Sequence, residues 1–263
     1  KFGLFTHAAA AKLQNPPSPT ATPKDRSGEI MKFGFPDYGQ VQMHENYVIS
    51  YDRRMRNARW VFECLTRDEV RYNEAAVRTN CEFEADGSVH AYFRATNEDY
   101  RGSGYDRGHM AAAANHRRSD GVMQQTFLLS NISPQVGKGF NRGIWNDLEK
   151  YVRGLTKRYA RVYVCTGPLY LPIKEPNNRL YVKYEVIGAN SVAVPTHFFK
   201  VVLGETQSQS YDLRAFVVPN RAFPENTPLK TFLVPLNVIE RAAGILLFER
   251  LPKNMIRSIN APL

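Results

Sequence analysis

The stretch Asp106-Arg107-Gly108-His109 is followed, 32 residues after its histidine, by Asn141 and then by Trp145 and Glu149. One short region therefore gathers a histidine, an amide oxygen, a carboxylate and several arginines. Histidine titrates near neutral pH and accepts a proton from an attacking water. The leaving oxygen of a phosphodiester needs positive charge as it departs, and a hard divalent cation on oxygen ligands supplies it. In such a set His109 is the candidate base and Asn141 the candidate metal ligand. Asp106 and Arg107 are read as bracketing a bend at Gly108 that orients the histidine ring.

The spacing divides the remaining roles. Ile144, Leu148, Tyr151, Val152 and Leu155 form an apolar stripe, which predicts a helix over 141–157. On that helix Asn141 and Glu149 are about 12 Å apart along the axis and rotated by roughly 80°. Direct contact of both with one small ion is awkward, so Glu149 is expected to act through a metal-bound water. Arg153 lies at i+4 from Glu149, a spacing that allows an ion pair on the helix. Trp145 reads as core packing. Arg142, Lys150, Lys157 and Arg158 read mainly as a solvated face.

Composition bounds the partners. The chain has 263 residues, a net charge of +10, 43% hydrophobic and 12% aromatic residues, and a pI near 9.5. That balance favours polyanions, nucleic acid before anionic membrane. Three cysteines, Cys64, Cys81 and Cys165, are too few and too scattered for a disulfide framework or a zinc site, and read as ordinary buried thiols. No apolar run approaches the length of a membrane span.

The first 27 residues differ from the rest. They contain Ala8 to Ala11 and Pro16, Pro17, Pro19 and Pro23, with no acid before Asp25. A flexible segment is expected over 1–27, as the remnant or junction of an organelle transit peptide, followed by a single domain over 28–263. Strands are predicted at 47–51, 58–64, 127–131, 161–166, 181–187, 192–194, 197–203 and 213–218, and a short helix at 235–243. The glycine-rich segment 98–108 reads as a loop. Strands outnumber helices and several connections are short. The class is α+β, a mixed, mainly antiparallel sheet flanked by helices.

The motifs "DRGHM" (106–110), "LLSNISPQ" (128–135) and "FNRGIWNDLEKYVR" (140–153) resemble the DNA/RNA non-specific endonuclease family, whose members share a ββα-metal (His-Me finger) core. The blocks at 105–117, 163–172, 181–188 and 192–201 resemble its mitochondrial members more closely. The likeness runs from about Gly28 to about Arg250. It implies a magnesium-dependent endonuclease, with manganese as a substitute, acting on single- and double-stranded DNA and on RNA. It also implies 5′-phosphate and 3′-hydroxyl products and a homodimer, with an acidic protein inhibitor as a further possible partner. The implied location is the mitochondrial intermembrane space, with release to the nucleus in programmed cell death.

Carried over residue by residue, the resemblance makes His109 the general base, with Arg107 beside it. It makes Asn141 the direct metal ligand, and Glu149 the carboxylate holding metal-bound water. Arg78, Asn131 and Arg153 match residues near the scissile phosphate. His116, Arg117 and Arg118 are candidates for backbone phosphates. Phe83 and Tyr105 are candidates to stack on a base or sugar. His197, within a strand pattern, reads as structural. Two other readings stay open: a related mitochondrial nuclease with 5′-exonuclease preference, and a catalytically silent nucleic-acid-binding protein.

Overall fold

A run of alternating apolar residues in the middle of the chain builds the central sheet. In the computed structural model, which describes residue 32, residues 39–74 and residues 76–261, the first strands are β1 (Gln40–Met43), β2 (Tyr47–Asp52) and β3 (Asn57–Leu65). A short helix α1 (Asn97–Tyr100) precedes β4 (Tyr105–His109). Helix α2 (Asp120–Gln125) follows, then β5 (Ile132–Val136), α3 (Asn146–Leu155) and β6 (Arg161–Leu169). Four two-residue strands come next: β7 (Ile173–Lys174), β8 (Leu180–Tyr181), β9 (Val186–Ile187) and β10 (Val192–Ala193). The long strands β11 (His197–Glu205) and β12 (Tyr211–Pro219), helix α4 (Leu236–Ala243) and β13 (Ile256–Ile259) complete the chain. The expected flexible segment 1–27 lies outside the described residues.

Seven strands form one sheet in the order β1-β2-β3-β6-β11-β12-β13. Its pairs are antiparallel except β12 with β13. The mixed, mainly antiparallel α+β architecture is therefore as expected. Successive side chains of a strand point to opposite faces, and β11 shows the result. Phe198 and Val202 join a core that also takes Val162, Val164, Phe216 and the α3 stripe of Ile144, Leu148, Val152 and Leu155. Phe199, Val201 and Leu203 join a second core with Leu213, Val217 and Ile239 of α4. The sheet thus has a helix packed on each face, which explains why β6, β11 and β12 read as nearly unbroken apolar runs.

Several expectations need correction. Residues 98–108 are not a loop throughout, because α1 ends at Tyr100 and β4 occupies Tyr105–His109. Gly108 makes no bend. It pairs with Ser133 in the β4–β5 ladder, and a Cβ there would meet the Gln135 side chain at 2.1 Å. Residues 127–131 are not a strand: Leu129–Asn131 is a 3₁₀ turn and pairing starts at Ile132. Of the strand expected over 181–187, only the ends pair, because Val182 and Tyr184 between them have no apolar layer to cover them and stay exposed. Cys64 is exposed rather than buried, since it faces away from the layer that takes Glu63 and Leu65.

The largest correction concerns the helix expected over 141–157. The α-helix begins only at Asn146, and Gly137–Trp145 forms wider i→i+5 turns before it. Lys138, Gly139, Arg142 and Gly143 have non-helical backbone angles within that stretch. Gly139 has φ +81° and packs on Ala222 and Phe223, which a Cβ would approach to 3.0 Å. The axial separation expected of Asn141 and Glu149 presumes one straight α-helix, which the chain does not form. π-type insertions of this kind are frequent at functional sites.

Candidate active site

β4, β5, the wide turns and α3 form a ββα unit whose last β4 residue is His109, opposite Ile132. Just beyond it the backbone is clamped by Asn131. Its carbonyl accepts from the Met110 N–H at 2.9 Å. Its side-chain oxygen accepts from the Ala111 N–H at 2.9 Å, and its amide donates to the carbonyls of Ala111 and Thr126. Asn131 is fully buried. All of those bonds go to the chain itself, so the structure does not bring Asn131 to the cavity. It fixes the exit of the strand that carries the histidine.

The His109 ring forms a three-ring cluster with Phe83 and Phe127, at 5.4 and 4.8 Å between centroids. Burial first, then the charge of Arg78, lowers its pKa to about 3. The imidazole is therefore neutral at physiological pH. Its Nε2 is buried and has no hydrogen-bond partner. An orphaned buried nitrogen of that kind costs free energy unless a ligand or water meets it.

A cavity of about 310 Å³ is lined by His109, Arg78, Asn141, Asn146, Glu149 and Arg153, among others. The wide turns thus bring Asn141 and Glu149 to one space. The Asn141 amide nitrogen donates to Asp106 Oδ2 at 2.9 Å. A carboxylate only accepts, so the amide nitrogen faces it and the side-chain oxygen remains for another partner. Asp106 also accepts from Arg142 at 3.2 Å. These bonds tie Asp106 to the second half of the site rather than to His109. Glu149 is half-buried, and burial raises its pKa to about 7 against the pull of Lys200 and Arg153.

Arg107 stands in an adjoining groove of about 540 Å³ that shares Arg78, Asn141 and Arg142 with the cavity. Its guanidinium stacks 4.4 Å from the Phe83 ring centroid and donates to Asn97 at 2.6 Å. Phe83 and Tyr105 line the same groove, and the Tyr105 hydroxyl donates to Glu185 at 2.7 Å. Trp145 is core, as expected. His116 is buried and bonded to Glu63 at 2.9 Å, which removes it from the phosphate candidates.

Sequence reasoning missed a buried polar layer beneath the cavity. Glu63 Oε1 accepts from Asn115 and from His116, each at 2.9 Å. Asn115 Oδ1 in turn accepts from Arg153 at 3.2 Å. Lys200, 1% exposed, donates to Thr166 at 2.6 Å, and burial lowers its pKa against the pull of Glu63 and Glu149. A signal was present in the strand pattern. Val61, Glu63 and Leu65 share one buried face of β3, and Lys200 interrupts the apolar run of β11. Buried charges are rare unless paired.

The donor set fits a hard cation. Asn141 and Glu149 offer only oxygens, and no group of three or more His, Cys, Asp or Glu is placed to hold a metal among the described residues. Few protein ligands leave water on the ion, as magnesium requires. A sequence profile described as DNA/RNA non-specific endonuclease matches residues 26–254. The chain belongs to that family. It is 52% identical over 239 residues to "Endonuclease G, mitochondrial" of Bos taurus, covering 91% of this chain and 78% of that protein. Identity to the Homo sapiens protein of the same name is 54% over 219 residues, covering 83% and 73%. A crystal structure of the EndoG/EndoGI complex superposes with a TM-score of 0.84 at 53% identity, over 92% of this chain and 99% of that one. As a member of the DNA/RNA non-specific endonuclease family, the chain is a non-specific endonuclease, a hydrolase of phosphodiesters, and the family is metal-dependent.

Proposed function

We propose that this endonuclease cuts DNA, single- and double-stranded, and RNA by attack of water on phosphorus, with His109 as general base. The convergence of His109, Asn141 and Glu149 on one cavity carries the reading. His109 Nε2, buried and unpartnered, accepts the proton of the attacking water. The P–O3′ bond breaks as the new P–O bond forms, and the departing O3′ takes a proton from solvent, which leaves a 5′-phosphate and a 3′-hydroxyl. Asn141 Oδ1 would hold the metal, and Glu149 would act on it through water. Arg78 and Arg153 face the phosphate from the cavity, and Arg107 binds the strand in the adjoining groove. Magnesium, or manganese with the same oxygen preference, supplies positive charge to the developing phosphorane and leaving oxygen when bound. Asn131 acts by fixing the backbone after His109.

No step uses the 2′-hydroxyl, so both sugars are substrates. Phosphate contacts carry little sequence information, and binding weakens steeply with salt. The relatives' names support a mitochondrial location, which we place in the intermembrane space, with release to the nucleus and DNA degradation in cell death. We assign the nuclease domain to 28–263 and a homodimeric state. The EndoG/EndoGI complex of a relative supports inhibition by a protein partner, and the net charge of +10 favours an acidic one. Among the described residues no helix is long and apolar enough to cross a membrane.

The test is digestion of a closed circular plasmid and of RNA in magnesium, with and without EDTA, beside Asn141→Ala. Loss of cutting in EDTA and in the variant is expected. Equal cutting by Asn141→Ala in the same magnesium sinks the ligand assignment. Cutting of linear but not circular DNA turns the reading toward an exonuclease.

A further inference from the structure

Next to the catalytic cavity is a second and larger basic cleft, of about 760 Å³. Arg67, Arg71, Arg117, Lys150, Arg153 and Lys157 line it, with Asp68 as the single carboxylate among the described residues. The turn after β3 supplies Arg67 and Arg71. Helix α3 and the residues after it supply the lysines and Arg153. Lys150 is paired with Asp147 at 3.3 Å. Arg67, Arg71, Arg117 and Lys157 have no ion-pair partner among the described residues.

Two further observations point outward. Tyr72 is 69% exposed at this edge, with the Arg117 guanidinium 5.6 Å from its ring centroid. An exposed aromatic among cations is a stacking face for a base. Arg153 lines both this cleft and the catalytic cavity, so the two spaces adjoin through one guanidinium. Cations concentrated in a cleft repel one another and focus the field on an approaching anion. Scattered surface lysines would not share a concave space with the reacting site.

We propose that this cleft is a backbone-tracking subsite, which holds phosphates of the same nucleic acid away from the scissile bond and offers Tyr72 to an unpaired base. The proposal rests on the nuclease reading above. It extends the footprint from a short tract at His109 to a longer one turning past Arg153. It also gives the face of α3, which the sequence presents as merely solvated, a ligand of definite chemistry. Long substrates are then held more tightly than short ones, at the same chemical step.

The test is the variant Arg67→Gln/Arg71→Gln/Lys157→Gln, whose three side chains are exposed and touch no catalytic group. Cleavage of a long duplex and of a tetranucleotide is measured over a range of salt. For the duplex, KM is expected to rise about tenfold or more, with kcat kept. The dependence of log(kcat/KM) on log salt becomes shallower by about 0.9 for each phosphate that the variant no longer neutralises. Tetranucleotide cleavage stays at the wild-type rate. Tyr72→Ala is expected to raise KM for single strands only. An unchanged duplex KM and salt slope overturns the proposal. So does an equal loss on the tetranucleotide, which places the cations in the catalytic cavity. Loss of binding to polyglutamate with duplex cleavage intact also overturns it and assigns the cleft to acidic protein. Failure of the wild-type enzyme to cut either substrate is instead a failure of the nuclease reading.

Discussion

The seven-stranded sheet and the segment Gly137–Trp145 border the same core and fix their side chains by opposite means. In the sheet, β6 and β11 pair without interruption over nine residues each. Regular pleating presents Lys200 and Glu63 at set intervals beneath the cavity, and each is anchored by hydrogen bonds inside the protein. In the segment, four residues leave helical geometry, and the departure delivers one side chain, Asn141, to one place. Regular structure here stores fixed charge, and irregular structure aims a ligand. Damage to the first should appear as lost stability, damage to the second as lost activity.

The comparison can be broken most decisively at His109, which lies on the separate β4–β5 pair and shares the cavity with Asn141. His109→Ala should lower plasmid cleavage by about 10²–10⁴-fold, the usual range for a general base, with the thermal midpoint kept. Near-normal nicking by that variant ends the base assignment. On the sheet side, Glu63→Ala leaves His116 and Asn115 without their shared acceptor. A loss of about 3–5 kcal/mol is expected, read from urea midpoints. A midpoint close to wild type shows that the buried layer is not structural.

Gly139→Ala tests the segment. A side chain at φ +81° costs about 1–2 kcal/mol, and the tight approach to Phe223 adds displacement. The expected outcome is a larger fall in kcat than the modest change in melting temperature implies. A lower melting temperature with unchanged kcat makes the segment plain scaffold. The smallest effect belongs to Asp212, at the start of β12. Its hydrogen bond from Arg257 holds its pKa below the usual carboxylate range. That contribution is complete above the ordinary value near 3.8 and is lost as pH falls through the lower folded value. Asp212→Asn should therefore flatten the acid limb of stability, and an identical limb in urea melts from neutral pH downward counts against it.

Legibility follows the same division. The alternation over Tyr47–Tyr51 and the apolar runs of β6, β11 and β12 announce the sheet, because burial on regular strands imprints directly on sequence. The β4 strand is hidden by Gly102, Gly104 and Gly108, which read as loop. Gly108 serves instead to admit the Gln135 side chain. His109, Asn141 and Glu149 are recognisable as a set, while the geometry joining them is not, since a helical stripe looks the same whether or not wide turns precede it. Asn115 and Glu63 are 52 residues apart, and no local pattern links such a pair. Lys157 is legible only as a charge, because its cleft forms between distant segments.

Asp106 accepts from Asn141 and Arg142, and the strand that carries Asp106 also carries His109. The offset between the proton acceptor and the cation's amide is therefore set across one carboxylate, not along the 32 residues between them. The intervening chain holds the histidine side of that offset instead, through Phe127, Asn131 and β5.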